Sequence, residues 1–249
     1  MRIPRNEVMA MKREEENVMG IVHVGKAKTV YRTKRPDEYV VEFRDDITAF
    51  DGKRKASVAK KGYFNAQISA RLFELLEEHG IATHYIQMLD DARMLVKAVD
   101  IIPLEIIVRN IAAGSVVRKY PFKEGQKLNP PVIVIDYKSD EYGDPMVNDD
   151  IIRALRLATE QELATMRKLA LQANVVLKKY LGARGLLLPD CKLEFGKAGG
   201  HILVADEISC DTCRFWLKES RQSLDKDVFR YERGDLIMAY EEAAKRILR

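Results

Sequence analysis

The stretch that decides the fold is LLLPDCKLEFGKAGGHILVADEISCDTCRFW, residues 186–216, which the residue pattern predicts to be a β-hairpin. Asp190, Lys192 and Glu194 alternate along its first half, so on a strand their side chains share one face. The apolar residues that follow Lys192 and Glu194 then point to the opposite face, towards a core. The glycine-rich segment 196–200 predicts the turn.

The returning strand, predicted at 201–208, carries two adjacent carboxylates. Asp206 and Glu207 are expected to point to opposite faces, which places one of them beside Lys192 and Glu194 in either pairing register. Carboxylates beside a lysine suit magnesium and phosphate chemistry, because oxygen ligands hold the metal and the ammonium attracts phosphate. The alternative is a solvated hairpin face with cross-strand ion pairs. The apolar run before Asp206 favours the functional interpretation, because an unpaired charge there is costly to bury.

Length and composition limit the class of protein. The 249 residues are 47% hydrophobic and 32% charged, as in an ordinary globular protein with one large core or two smaller ones. The net charge of +4 permits an anionic small molecule, and the sequence lacks the basic stripe with interleaved aromatic residues that is typical of nucleic-acid binding. No apolar run approaches the ~20 residues that span a bilayer, and residues 1–20 lack the apolar stretch of a signal peptide. We therefore expect a cytoplasmic protein that binds neither nucleic acid nor membrane.

Three cysteines, Cys191, Cys210 and Cys213, include one Cys-x-x-Cys pattern. Their odd number argues against a disulfide framework. A zinc site needs four ligands, and the nearby sequence adds only Cys191 and His201 to the pattern. A redox pair is expected at a strand-to-helix junction of a thioredoxin-like unit, which the surrounding pattern does not predict. We therefore interpret all three cysteines as free thiols.

The order of the predicted elements favours an α+β fold with two lobes. The first 100 residues contain short strands and one helix at 62–79, whose apolar residues recur at helical spacing. Residues 101–104 are expected to connect the lobes. The second part contains further strands, a long helical region at 149–181 and a closing helix at 235–248. Because strands and helices do not alternate regularly, we expect two packed lobes with a ligand cleft between them.

Two further segments are candidates for phosphate binding. Gly25-Lys26-Ala27-Lys28 lies between two predicted strands, so its backbone can approach a polyphosphate while Lys26 and Lys28 share one side. It does not match a Walker A loop, and a plain charged hairpin turn is the alternative. In RNIAAGS, Arg109 ends a predicted strand, and the small residues before Ser115 are able to offer backbone N–H groups to a phosphate. The alternative there is a surface arginine before a turn.

Together these segments resemble the SAICAR synthetase family, the phosphoribosylaminoimidazole-succinocarboxamide synthases of purine biosynthesis. The most specific matches are D-x-K-x-E-F-G from Asp190 and D-E-I-S-x-D-x-x-R-x-W from Asp206. The other matching stretches are GKAKTVY (25–31), DDITAFDGKRK (45–55), KKGYFNAQIS (60–69), PLEIIVRNIAAGS (103–115), KSDEYGDP (138–145) and LDKDVFR (224–230). The resemblance covers about residues 21–245.

The resemblance implies both a fold and a reaction. The fold is two-lobed and similar to ATP-grasp enzymes or kinases, with the nucleotide between a β-rich lobe at 21–102 and a second lobe at 103–249. Residues 1–20 form an extension outside the resemblance. The reaction joins L-aspartate to the carboxylate of carboxyaminoimidazole ribonucleotide (CAIR) and splits ATP into ADP and phosphate, through an acyl phosphate. Such phosphoryl transfer depends mainly on positioning and charge neutralisation, which lysines and Mg²⁺ supply.

The resemblance also implies a role for each motif residue. The nucleotide contacts are Lys26, Ala27, Lys28, Lys97, Glu194 and Asp206, of which Glu194 and Asp206 also bind Mg²⁺. The CAIR contacts are Arg109, Ser115, Asp190, Lys192, Asp211 and Arg214. Lys192, Asp190 and Arg214 take part in catalysis, and Lys192 is expected to stabilise the charge that develops as the carboxylate attacks. Asp51 and the loop 138–144 are expected to shape the site.

Other classes of protein remain as alternatives. A kinase-like phosphotransferase, or a ligase acting on another carboxylate, uses similar lysines and carboxylates. Kinases, however, carry H-R-D-x-x-x-x-N and D-F-G segments, which this sequence lacks. A non-catalytic nucleotide-binding protein has no need of the acceptor-site residues, and these are all present. An enzyme of this size is also expected to form a symmetric homo-oligomer.

Overall fold

Antiparallel pairing of short strands organises the chain. The computed structural model describes residues 18–49 and 54–249, so Asp51 lies outside the described residues. The described strands are β1 (Val18–Val24), β2 (Lys28–Thr33), β3 (Glu38–Phe43), β4 (Asp46–Ala49), β5 (Arg54–Ser57), β6 (Tyr85–Met88), β7 (Arg93–Lys97), β8 (Asp100–Ile111), β9 (Lys127–Tyr137), β10 (Leu186–Leu187), β11 (Asp190–Ala198), β12 (His201–Ala205) and β13 (Trp216–Leu217). The described helices are α1 (Lys61–Glu78), α2 (Ser115–Lys119), α3 (Asp149–Ala154), α4 (Glu160–Ala183), α5 (Asp227–Arg230) and α6 (Leu236–Ile247).

Two sheets carry the fold within the described ranges. The first has the order β1-β2-β3-β7-β6, and the second has the order β12-β11-β8-β9. Every pair of neighbours in both sheets is antiparallel. Two short ribbons, β4 with β5 and β10 with β13, complete the strand pairing. The mixture of sheets and separate helices is the α+β class that the sequence predicts.

The predicted hairpin is confirmed as β11 and β12. Its turn is shorter than the whole glycine-rich segment, because β11 continues to Ala198 and the chain reverses at Gly199-Gly200. Both glycines have positive φ, 55° and 79°, the conformation that two-residue hairpin turns of the primed type require.

Two sequence predictions are wrong. Residues 101–104 are part of the twelve-residue strand β8 of the second sheet, rather than a connector. The returning strand ends at Ala205, and Asp206 has a φ of 64°. Asp206 and Glu207 therefore do not alternate across a strand, and both side chains contact the same lysine, Lys28.

Helices cover the sheets and meet one another in a single core. Helix α1 contacts β3, β6 and β7, and its predicted stripe is buried; that stripe comprises Ile68, Leu72, Leu75 and Leu76. Helix α4 contacts β8, β10, β11 and β12, and it begins at a capping box between Thr159 and Glu162, as the sequence predicts. One cluster of buried apolar residues joins α1, α4, α6 and both sheets. Across the described ranges, no helix is both long enough and apolar enough to cross a membrane.

A buried ion pair ties three distant segments of the fold together. The Lys61 Nζ atom, in the first turn of α1, lies 2.8 Å from Asp211 Oδ2, and the two side chains are 1% and 5% exposed. The Tyr240 hydroxyl in α6 donates to Asp211 Oδ1 at 2.7 Å. Burial alone would raise the pKa of Asp211, but attraction to Lys226 and Lys61 outweighs it and lowers that pKa.

Breaking this ion pair is expected to destabilise the protein. Lys61→Met leaves the Asp211 charge buried without the cation that pairs with it, so the free energy of unfolding near neutral pH falls by about 3–5 kcal/mol. Because the folded-state pKa of Asp211 is depressed, the stabilisation is present above about pH 4 and is lost as the pH falls further. Urea unfolding therefore shows a smaller difference between wild type and variant near pH 3 than near pH 7. Lys178→Met, at an exposed position on α4, is the control, and an equal loss in both variants contradicts the assignment.

Candidate active site

The pairing of β8 with β11 brings five charged side chains together. Asp190 lies opposite Arg109, and Glu194 lies opposite Glu105. Arg109 donates to Asp190 Oδ2 at 2.6 Å. Like charges opposite each other destabilise a sheet, but Lys192 Nζ bridges the two glutamates at 2.5 Å from Glu105 and 3.2 Å from Glu194. The register thus turns the alternation of charges on β11 into a connected row of ion pairs.

Burial makes these pairs interdependent. Asp190, Glu194 and Arg109 are each 3% exposed, so each charge needs a close partner. Burial alone would lower the pKa of Lys192, but attraction to Glu194 and Glu105 outweighs it and the pKa is raised. Burial also raises the pKa of Glu105, against the attraction of Lys192. Lys192 is therefore a permanent cation at neutral pH.

A second set of ion pairs joins the two sheets. The Lys28 Nζ atom at the start of β2 lies 2.6 Å from Asp206 and 2.8 Å from Glu207, both beyond the end of β12. Burial alone would lower the pKa of Lys28, but these carboxylates raise it. Burial alone would likewise raise the pKa of Asp206, but attraction to Lys28, Lys138 and Lys192 lowers it. At neutral pH both members of the Lys28–Asp206 pair are thus charged.

The glycine turn before β2 faces the loop 138–144. Gly25 N–H donates to Lys28 O at 2.8 Å, which closes the turn, and Arg44 donates to Gly25 O at 2.8 Å. Lys26 Nζ lies 2.6 Å from Asp140 on that loop. An open cavity of about 500 Å³ lies between these segments. Its lining includes Lys26, Arg44, Asp46, Lys55, Asp140 and Asp144. The cavity is therefore lined by charged residues of both signs.

Arginines gather at the other end of the β11 face. Arg109 also donates to Ser115 Oγ at 3.0 Å. Arg214 donates to Asp190 Oδ2 at 2.7 Å and to Asp227 Oδ2 at 2.8 Å. Two guanidinium groups thus converge on the single carboxylate of Asp190. Such planar groups with several N–H donors are well suited to a phosphate.

Gly114 makes this arrangement possible. Its φ is 63°, and a Cβ atom there would lie 2.2 Å from Arg214 Nη2. Any other residue would push the arginine away as well as strain the backbone. The glycine in RNIAAGS therefore serves the close approach of Arg214 to the turn.

Two of the residues named from the sequence, Asp211 and Lys97, make their direct side-chain contacts outside these clusters. The side-chain partners of Asp211 among the described residues are Lys61 and Tyr240 of the buried network described above. Lys97, at the end of β7, donates from Nζ to Thr83 O at 3.0 Å. Lys97 nevertheless lies near the Lys28–Asp206 ion pair, because His84 interacts electrostatically with all three of these residues. The substrate contacts expected of Asp211 and Lys97 stay predictions.

The structure adds three residues to which sequence reasoning gave no individual role. Glu105 and Glu207 hold Lys192 and Lys28, and Lys138 forms an ion pair with Glu194. Glu105 and Arg109 are four residues apart on β8, so alternation places them on one face of the strand. The sequence therefore carried a signal for the position of Glu105. The contact between Lys138 and Glu194 joins residues 56 positions apart and has no comparable local signal.

Glu194 and Asp206 fit a divalent cation only if other oxygen ligands complete its coordination shell. Among the described residues, no group of three or more His, Cys, Asp or Glu side chains forms a metal cluster. Glu194 and Asp206 both lie close enough to Lys138 to raise its pKa, although burial alone would lower that pKa. Mg²⁺ commonly binds to one or two carboxylates and completes its shell with phosphate oxygens and water. Two carboxylates beside several lysines match that pattern.

Comparison with known proteins identifies the family. The family model described as SAICAR synthetase matches residues 21–247. The phosphoribosylaminoimidazole-succinocarboxamide synthase of Methanosarcina mazei is 59% identical over 96% of this chain and 98% of its own length. That of Methanothermobacter thermautotrophicus is 50% identical over 92% of this chain and 93% of its own.

Solved structures give the same result. A SAICAR synthetase in complex with ADP is 46% identical, with a TM-score of 0.88, over 91% of this chain and 97% of its own. The phosphoribosylaminoimidazole-succinocarboxamide synthase of Ehrlichia chaffeensis is 38% identical, with a TM-score of 0.89, over 91% of this chain and 98% of its own. The family resemblance and fold class inferred from the motifs are therefore confirmed, and this chain belongs to the SAICAR synthetase family.

Proposed function

We propose that this protein joins L-aspartate to the carboxylate of CAIR, giving SAICAR, ADP and phosphate from ATP. The observation that carries the proposal is Lys192, which lies between Glu105 and Glu194 on the same strand as the arginine-bound Asp190. The Lys192 ammonium group thus contacts a pair of carboxylates. The arginine cluster around Asp190, which is suited to binding phosphate, lies two residues away along the strand. Family membership supports the same reaction, because the relatives carry its name.

The nucleotide is assigned to the part of the site that the first sheet contributes, around Lys28. Lys26, Ala27 and Lys28 follow Gly25 in the glycine turn, where the small side chains of Gly25 and Ala27 leave the backbone accessible, and Lys97 contributes from the end of β7. Lys28 already contacts two carboxylates, Asp206 and Glu207. It is therefore placed to contact a bound phosphate next to the carboxylate proposed to bind the metal. The ADP complex of a related SAICAR synthetase supports nucleotide binding. The division into a nucleotide lobe at 21–102 and a second lobe at 103–249 belongs to the same proposal.

Glu194 and Asp206 are the residues assigned to Mg²⁺. When bound, the cation supplies charge neutralisation for the transferring phosphoryl group. Lys28, Lys138 and Lys192 attract the Asp206 carboxylate and lower its pKa, so this residue is ionised at neutral pH. Phosphate and metal therefore replace ion pairs that the protein has already formed, and Asp206 does not have to lose a proton first.

CAIR is assigned to the arginine end of the face. Arg109, Ser115 and Arg214 offer donors for its phosphate, while Asp190 holds both guanidinium groups in place. This leaves the imidazole carboxylate to point along β11 towards Lys192. Asp190, Lys192 and Glu194 are spaced two residues apart on β11, so consecutive members of this row lie about 7 Å apart along the strand.

The chemistry then follows from these positions. A carboxylate oxygen of CAIR attacks the γ-phosphorus, and the bond to ADP breaks. The aspartate amine attacks the resulting acyl phosphate, an amide bond forms, and phosphate leaves while the amine loses a proton. Lys192 stabilises the negative charge on the attacked phosphoryl group, because its own positive charge is held in place before the reaction begins. We also expect the protein to act in the cytoplasm as a homo-oligomer.

The reaction itself is tested by ADP release from Mg-ATP, with CAIR and L-aspartate supplied together and each omitted in turn. We expect rapid release only when both substrates are present, because the acyl phosphate must be consumed for turnover. Release with CAIR alone indicates a different amine acceptor or uncoupled acyl phosphate formation. An absence of any response to CAIR contradicts the proposed function.

The role of Lys192 is tested by Lys192→Ala. We expect turnover to fall by at least about 100-fold, as when one stabilising donor is lost from an active site. Lys197→Ala is the matched control, because Lys197 lies on the same strand and pairs with Glu162 outside the site. Urea unfolding checks that both variants are folded, and wild-type turnover in Lys192→Ala rules out the role.

The metal ligands are tested by Glu194→Gln and Asp206→Asn. Each amide keeps the size of the side chain but loses its charge, so the Mg²⁺ concentration for half-maximal ADP release is expected to rise by about 10-fold or more. Glu162→Gln, on α4, is the control and keeps the wild-type requirement. An unchanged Mg²⁺ requirement in both site variants removes these residues from the metal site.

A further inference from the structure

Two cysteines face each other behind the active-site strand. Cys191 of β11 forms an isolated antiparallel bridge with Cys213. The flanking hydrogen bonds run from Lys192 N–H to Thr212 O at 2.9 Å and from Arg214 N–H to Asp190 O at 3.0 Å. The bonds lie on either side of the cysteines and not between them. Cys191 and Cys213 are therefore a non-hydrogen-bonded cross-strand pair.

This type of pair has the geometry that a disulfide needs. Its Cα atoms lie about 4.5 Å apart, within the range of about 4.4–6.8 Å found for disulfides. The two sulfur atoms are 2.9 Å apart, and the side chains point at each other. Cys191 and Cys213 are 1% and 4% exposed, so both side chains are enclosed in the folded protein. Cys210, the other half of the Cys-x-x-Cys pattern, is a separate buried thiol.

We propose that Cys191 and Cys213 form a disulfide when the chain folds in the presence of a low-molecular-weight disulfide such as glutathione disulfide. One cysteine thiolate attacks the small disulfide, forming a mixed disulfide and releasing one small thiolate. The second cysteine thiolate then displaces the other small thiolate and closes the protein disulfide. The two cysteines are oxidised, the small disulfide is reduced to two thiols, and the two cysteine protons end on those thiols.

Folding is the step at which this exchange is fast. Burial raises the pKa of the Cys213 thiol, and the contact with Cys191 raises it further. Because the thiolate is the reactive form, the two thiols react slowly once they are enclosed. During folding both are still accessible, and the β11 pairing brings them together.

The bond has a defined structural consequence. It links residues 22 positions apart, so it restricts the unfolded chain and stabilises the folded one. It also ties the strand that carries Asp190 and Lys192 to the segment that carries Arg214. Since hydrogen bonds already join these segments on both sides of the pair, activity is expected to survive the oxidation.

The experiment refolds the full chain from urea with either glutathione disulfide or a reducing agent, and then counts free thiols under denaturing conditions. We expect one free thiol after oxidative refolding and three after reductive refolding. Peptide mapping is expected to show Cys191 linked to Cys213. The oxidised protein is expected to unfold at a urea concentration about 1 M higher, a difference that dithiothreitol removes.

Two variants complete the test. Cys210→Ala is expected to retain the disulfide, with no free thiols after oxidation and two after reduction. Cys213→Ala is expected to lose both the disulfide and the difference in urea midpoint. Three free thiols after oxidative refolding, a link that includes Cys210, or only glutathione adducts would each overturn the proposal. If Cys213→Ala does not fold, the thiol count of Cys210→Ala decides alone.

Discussion

The buried ion pairs between β8 and β11 are the interaction on which the rest of the structure depends. Asp190, Glu194 and Arg109 are almost fully buried, and in such surroundings an unpaired charge costs about 3–5 kcal/mol, a large part of the total stability of a protein. The antiparallel register solves this by placing a cation beside every anion, with Lys192 shared between two glutamates. The same row of charges forms the candidate active site, so stability and function are inseparable on this face.

A second constraint joins the two sheets. Asp206 has a φ of 64°, an uncommon conformation for a non-glycine residue, which costs about 1–3 kcal/mol. That conformation directs both Asp206 and Glu207 to Lys28, which comes from the other sheet. The strained position thus supports a charged contact between the proposed nucleotide turn and the proposed metal ligands. Strain of this kind is commonly found at functional sites.

Much of the local structure was predictable because its causes are local. The alternation around Asp190 predicted the β11 strand, the Thr159 and Glu162 capping box predicted the start of α4, and the glycine-rich segment 196–200 predicted a turn, which the structure narrows to 199–200. The motif order also predicted the family. The end of β12 was not predictable, because the apolar run before Asp206 continues a strand pattern that only the contact with Lys28 interrupts.

The sequence by itself determined the long helices, the β11–β12 hairpin and the family, since these follow from spacing and from residue identity. Only the tertiary structure decided which charges meet. Lys28 and Asp206 are 178 positions apart and Lys192 and Glu105 are 87 apart, so their pairing depends on sheet register and on packing between sheets. Asp211 shows the difference most clearly. Its motif implies a substrate contact, which stays a prediction. Packing of α1 and α6 decides its protein partners, Lys61 and Tyr240, because a buried carboxylate takes the partners that the folded core brings to it.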